Sequence, residues 1–152
     1  VVELSGGSYE APAMQGQTRD DTTLAREAYF LEFSQALVSK TDIPLMTKGG
    51  IKRAEVAEEV IEEGCALVGL ASALAITPDL AKKWQQEWAY SGIIPHCSWK
   101  DKSLASLANM AMVRRQLRRL GNNLTTLRDP SPLWSLILDM LHRKKMTKRD
   151  VG

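Results

Sequence analysis

A chain of 152 residues suits one domain and is long enough to bury a respectable core. With 44% hydrophobic and 25% charged residues, it lacks the polar bias of a disordered chain. It also has no apolar run of membrane-spanning length and no charged-then-apolar signal pattern, so the expectation is a cytoplasmic protein. Its two cysteines, Cys65 and Cys97, are far apart and outside any C-x-x-C spacing, which argues against a disulfide framework or a zinc site. Cys65, beside a predicted strand, reads as a small core residue.

Val1 to Leu4 reads as a strand with no cap or turn before it, as though the fold were entered part-way. It ends at Ser5-Gly6-Gly7-Ser8, and a polar loop with Pro12 and Gly16 follows through Asp21. A loop of that length is uncommon unless it serves a site. Asp20 or Asp21 can cap a helix over Thr22 to Ser39, with Leu24, Ala28, Leu31 and Val38 as its apolar stripe, widened by Phe30 and Leu37. The aromatics of this helix read as core. Thr41 to Pro44 is the return loop.

The stretch from Pro44 to Asp79 organises the rest. Leu45-Met46-Thr47 is a short strand that breaks at Gly49-Gly50. A helix over Lys52 to Glu63 then carries Val56, Val60 and Ile61 inward and five glutamates on a solvated face or at its end, closing at Gly64 as a C-terminal glycine cap. Ala66 to Leu70 is a second apolar run, too short for a helix, with Gly69 and Ala71-Ser72-Ala73 behind it. This is a βαβ unit with two bare turns at the same end. α/β folds place ligands beyond the C-terminal ends of parallel strands, and small residues there let main-chain N–H groups reach phosphate oxygens, with a helix dipole adding to the attraction.

Thr77-Pro78-Asp79 has the residues of a helix start, with Thr77 as cap and Pro78 at the first helical position. Trp84 and Trp88, one turn apart, are expected to seal that helix. From Gly92 the alternation of strand and helix stops. Ser103 to Leu120 reads as a helix ending at Gly121, with Leu104, Leu107, Ala108 and Ala111 on one line and Met110, Val113, Leu117 and Leu120 on another. Ser131-Pro132 opens a last helix bearing Leu133, Leu136, Ile137, Met140 and Leu141. From Val113 onward there are ten Lys and Arg against three Asp, although the whole chain is only +2. A nucleic-acid surface would explain that charge, but a solvated helix end favoured by its dipole explains it more cheaply.

Several of these segments resemble one family. Gly49-Gly50-Ile51-Lys52-Arg53 after one strand and Leu67-Val68-Gly69-Leu70-Ala71-Ser72-Ala73-Leu74 on the next resemble the last two strand turns of the old yellow enzymes, the FMN-dependent NADH:flavin oxidoreductases or ene-reductases. Val1 to Glu10 and Arg26 to Phe33 resemble the sixth strand and helix of that barrel. Val113 to Gly121 and Asp129 to Trp134 resemble the C-terminal extension of its bacterial and fungal branch. The resemblance implies an α/β fold: the last three β/α units of a TIM (β/α)8 barrel over residues 1–91, and a helical, basic extension over 92–152. A complete barrel takes roughly 250 residues. The expectation is therefore the C-terminal portion of a larger enzyme. The family's iron–sulfur branch carries a Cys-rich segment after the last strand, which this sequence lacks, so the FMN-only branch fits.

By that resemblance the cofactors are FMN and NAD(P)H as reductant, and the partner is a small-molecule substrate, an activated alkene or other electron acceptor. Neither a nucleic acid nor a membrane is implied, and a homo-oligomer stays open. The backbone at Gly49, Gly50, Ala71 and Ser72 would line the phosphate site, with Gly69 and Leu70 placing the second turn. The family's pattern there is G-L-G-R, whose arginine grips the phosphate, whereas this chain has Gly69-Leu70-Ala71-Ser72. Losing a charge-assisted contact costs roughly 1.5–3 kcal/mol. Lys48, Lys52 or Arg53 could restore the charge, Lys48 first. No catalytic residue and no metal ligand is assigned: the substrate-anchoring pair and proton-donating tyrosine of the family belong to earlier strands, and Tyr9, His96 and His142 match none of them. The alternative is a remnant that has lost flavin binding, or a helical interaction module.

Overall fold

The computed structural model describes residues 1–4 and 31–150. The expected glycine turn at Ser5 to Ser8, the loop through Asp21, Tyr9 and the first part of the Thr22 to Ser39 helix lie outside the described residues. Two compact units are present, residues 1–74 with 78–93 and residues 75–77 with 94–152.

The first unit holds a three-stranded parallel sheet in the order of the chain: β1 Val2–Leu4, β2 Leu45–Lys48 and β3 Leu67–Gly69. Val2 is level with Leu45, Glu3 with Met46 and Leu4 with Thr47; Met46 is level with Leu67 and Lys48 with Gly69. Side chains alternate across a strand, and in β2 Leu45 and Thr47 are buried while Met46 and Lys48 are half-buried. Helices α1, Leu31–Val38, and α2, Ala54–Glu62, cover the buried face, α1 against β2 and α2 against β3. On the opposite face, left open among the described residues, Glu3 and Leu67 are exposed and Met46 and Lys48 half-buried. Leu67 is 47% exposed.

Burial in α2 follows the helical period. Ala54, Val56 and Val60 turn inward to join Leu31, Ile51 and Cys65 in one core, and fully burying a valine contributes about 1.5–3 kcal/mol. Gly64 ends the helix as the sequence predicts. It takes φ 94°, its N–H donates to the carbonyl of Ile61, and the N–H of Cys65 donates to the carbonyl of Val60. That is the paired-bond glycine cap.

Two expectations beyond α2 need correction. Residues Ser72–Ile76 already form a short helix, α3, and the next, α4, begins at Leu80 and runs to Gln86. Asp79 stands at its cap and makes no side-chain capping bond. Thr77 is buried rather than capping. Of the two tryptophans, Trp84 donates its indole N–H to the Tyr90 carbonyl at 3.0 Å, whereas Trp88 is exposed and seals nothing.

The second unit is a pair of helices, α5 Lys102–Gly121 and α6 Pro132–Asp150. Asp101 caps α5 by accepting from the N–H of Leu104, and Ser131 caps α6 by accepting from Trp134. The interior of α5 is lined by Ala105, Ala108, Ala111, Met112 and Gln116, while Leu104, Leu107, Met110 and Leu117 are exposed. Of the two predicted apolar lines, Ala108 and Ala111 are buried, Val113 and Leu120 are half-buried, and the four large residues Leu104, Leu107, Met110 and Leu117 face outward. The interior is organised by charge: Asp139, 1% exposed, accepts from Arg114 at 3.0 Å and Arg118 at 2.8 Å, with Arg143 at 3.4 Å. Arg115 donates to the buried Ser135. Leu133, Trp134, Ile137, Met140 and Leu141 of α6 are left exposed. Among the described residues no helix is long and apolar enough to cross a membrane.

Candidate functional site

The turns after β2 and β3 start side by side, because Lys48 and Gly69, the last residues of the two strands, are register partners. Gly49 and Gly50 follow one strand, and Leu70, Ala71 and Ser72 follow the other. The structure therefore brings the sequence-predicted residues of the two turns to one end of the sheet.

The first turn needs its glycines. Gly49 has φ 140° and Gly50 has φ 69°, both in the region that residues with a Cβ avoid. Behind them Ile51 is buried, and the carbonyl of Lys52 accepts from the N–H of Gly92 at 2.7 Å. Arg53 and Ser91 form an antiparallel bridge beside that bond. A Cβ on Gly92 would lie 3.0 Å from a Leu80 methyl and 3.2 Å from the Lys52 carbonyl, so only glycine brings this segment so close. The segment after α4 thus fastens the first turn.

In the second turn Gly69 is fixed by a close approach. A Cβ there would sit 2.9 Å from the Cβ of Lys48 and 3.4 Å from the Thr47 carbonyl. The half-buried Ser72 opens α3, but a helix of only five residues contributes little dipole, so helix-dipole support for an anion at this turn is weak. Ala71 is exposed.

Lys48, the first candidate for the charge at the turns, has a partner of its own. Its Nζ pairs with the Glu3 carboxylate on the open face of the sheet. Its charge is therefore partly offset by a residue that the sequence reading left unassigned. Nothing in Val1-Val2-Glu3-Leu4 signals this, since the partners are brought together only by strand register. The hydroxyl of Thr47, fully buried one residue before, has no hydrogen-bond partner among the described residues. Among those residues there is also no cluster of His, Cys, Asp and Glu able to hold a metal.

With that geometry in view, the chain can be set beside known proteins. It is 36% identical over 87 residues to the NADH-dependent flavin oxidoreductase iliE of Hypocrea jecorina (strain QM6a), which covers 53% of this chain and 22% of that protein. It is 31% identical over 99 residues to the 4,4'-dithiodibutanoate disulfide reductase of Rhodococcus erythropolis, covering 62% of this chain and 25% of that protein. The likeness is thus to redox enzymes, one of them flavin-linked by name. The chain spans about a quarter of the length of these curated relatives. No family model and no solved structure matches it.

The α/β character expected from the sequence is present as three parallel strands with helices against one face, an arrangement compatible with part of a barrel.

Proposed function

We propose that this chain is the C-terminal part of an FMN-dependent NAD(P)H oxidoreductase of the old yellow enzyme kind, reducing activated alkenes or other acceptors, and that its two turns hold the flavin's phosphate end. The observation that carries this reading is the pairing of two bare turns at the C-terminal ends of hydrogen-bonded parallel strands, one requiring positive φ and the other a missing Cβ. The partial likeness to a flavin oxidoreductase supports it.

The donor set fits a phosphate in part. Gly49 and Gly50 let main-chain N–H groups approach an anion, the Ser72 hydroxyl supplies one further donor, and Lys48 supplies charge when it leaves Glu3. When bound, FMN supplies the hydride chemistry between reductant and acceptor. This chain's residues anchor and orient it, and the groups that would anchor the acceptor and donate a proton are not assigned within it.

The test is a fluorescence titration of the full chain with FMN and with riboflavin, which lacks the phosphate. FMN should bind at least about tenfold more tightly, equivalent to about 1.4 kcal/mol. Lys48→Ala should remove much of that preference and Ser72→Arg should enlarge it. Equal affinity for the two flavins, unchanged by either substitution, rules the phosphate site out. An interaction module remains the second reading, favoured by the exposed stripe of Leu133, Trp134, Ile137, Met140 and Leu141 on α6.

A further inference from the structure

Lys48 and Glu3 do not meet across the strand ladder on the level. Glu3 is paired with Met46, two residues before Lys48, and strands rise about 3.3 Å per residue. The two backbones are therefore offset by about 6–7 Å along the strands, and the side chains of Lys48 and Glu3 lean towards each other across that offset, the lysine away from Gly49 and Gly50. On the other side of Lys48 stands Gly69, whose missing side chain leaves that flank of the lysine bare. The lysine stem is flexible and its charge compact, so the same side chain can serve either end of this short path. Both partners are substantially exposed, at 41% for Lys48 and 44% for Glu3, and exposed pairs of this kind are weakly held.

We infer that Glu3 is a built-in competitor for the phosphate: it holds Lys48 back along the sheet, and an incoming phosphate monoester must take the lysine from it. This rests on the phosphate reading of the two turns and adds a specificity-determining residue to it. Glu3 touches no ligand in this scheme. It acts through Lys48, and its effect is to lower affinity for weak or singly charged anions more than for a doubly charged phosphate, which wins the exchange by charge.

The consequence is opposite in sign to that of an ordinary structural ion pair. Glu3→Gln keeps the shape and removes the charge, so it should tighten FMN about two- to fivefold while leaving riboflavin unchanged, the range expected for releasing an exposed pair. In a Lys48→Met background the same change should do nothing, and Glu3→Ala should repeat the effect of Glu3→Gln. Far-UV circular dichroism identifies any variant that has lost its fold, and native chain specifically labelled with 15N at lysine provides a measurement without substitution: the Lys48 ammonium signal should move with FMN and stay with riboflavin. If FMN is preferred by the native chain but Glu3→Gln and Glu3→Ala weaken it or leave it unchanged, the inference fails and the phosphate site stands. If no chain, native or substituted, prefers FMN and the Lys48 signal is unmoved, both fail. A preference that appears only when Glu3 is neutralised supports the inference directly.

Discussion

Gly64 and Asn123 close the ends of α2 and α5 with the same pair of hydrogen bonds but different chemistry. Gly64 takes φ 94° and Asn123 takes φ 57°; at the second site the N–H of Asn123 donates to Leu120 and that of Leu124 to Arg119. The sequence reading placed the stop at Gly121. The helix does end at Gly121, but the left-handed residue that closes it is Asn123, because Asn tolerates that conformation, and the Asn122 amide adds a bond to the Arg118 carbonyl. The two sites should respond differently. A Cβ on Gly64 would lie 2.7 Å from a Val38 methyl, and valine is stiff about its first torsion, so Gly64→Ala should cost about 1–3 kcal/mol. The readout is amide exchange at Cys65, which should quicken at least about fivefold. Asn123→Gly, in an exposed turn, should change stability by no more than about 0.5 kcal/mol. An unchanged Cys65 amide in Gly64→Ala would show that the cap is not under the strain its geometry implies.

Between the two long helices the decisive residue is Asp139. Burial raises its pKa, but hydrogen bonds from Arg118 and Arg114, with their charges, outweigh that and hold the carboxyl below its ordinary value of 3.8. A carboxyl with a lowered folded pKa contributes stability that is complete above the ordinary carboxylate range and is lost as pH falls through the lowered value. The α5–α6 pair should therefore loosen in acid below about pH 4, followed by the fluorescence of Trp134. Asp139→Asn should weaken the pair at neutral pH by about 1.5–3 kcal/mol and flatten its acid response. An acid profile identical in the variant would assign the transition to another group. This network also explains what the sequence left unread. The strand at Leu45 and the helix around Val56 and Val60 were legible because their periods are local. Asp139 and Arg114 are 25 residues apart, so the apolar pattern of α5, which does point to Ala108 and Ala111, does not show that Leu104 and Leu107 give way to a buried charge network. Glu3 and Lys48 are hidden for the same reason, whereas the glycines of the two turns stood out because a bare backbone is itself a local signal.

For the molecule as a whole, the open sheet face and the exposed stripe on α6 set the behaviour. Parallel strands are stable with both faces covered and their edges paired. Among the described residues no further strand flanks β1 or β3, and Leu133, Trp134, Ile137, Met140 and Leu141 stand outward on one helix. Alone in solution this chain should self-associate or aggregate, as light scattering coupled to size exclusion would record. A dilute, monodisperse monomer with one sharp melt would contradict that. Supplied with FMN, it should oxidise NADH no faster than the free flavin does. Sustained oxidation above that rate would place catalytic groups within these residues.

The bond from Gly92 to Lys52 carries a consequence for how binding would feel to the chain energetically. Fixing one residue's backbone costs about 1–2 kcal/mol in conformational entropy, and a loop that orders only when its ligand arrives subtracts that amount from affinity. Here the N–H of Gly92 and the bridge between Arg53 and Ser91 have already set the backbone that follows Gly49 and Gly50. The residues that follow the first turn are thus held by backbone pairing within the chain itself. If the turn holds a phosphate as proposed, ordering the backbone after Gly50 should add little unfavourable entropy to binding, whatever it costs to free Lys48 from Glu3.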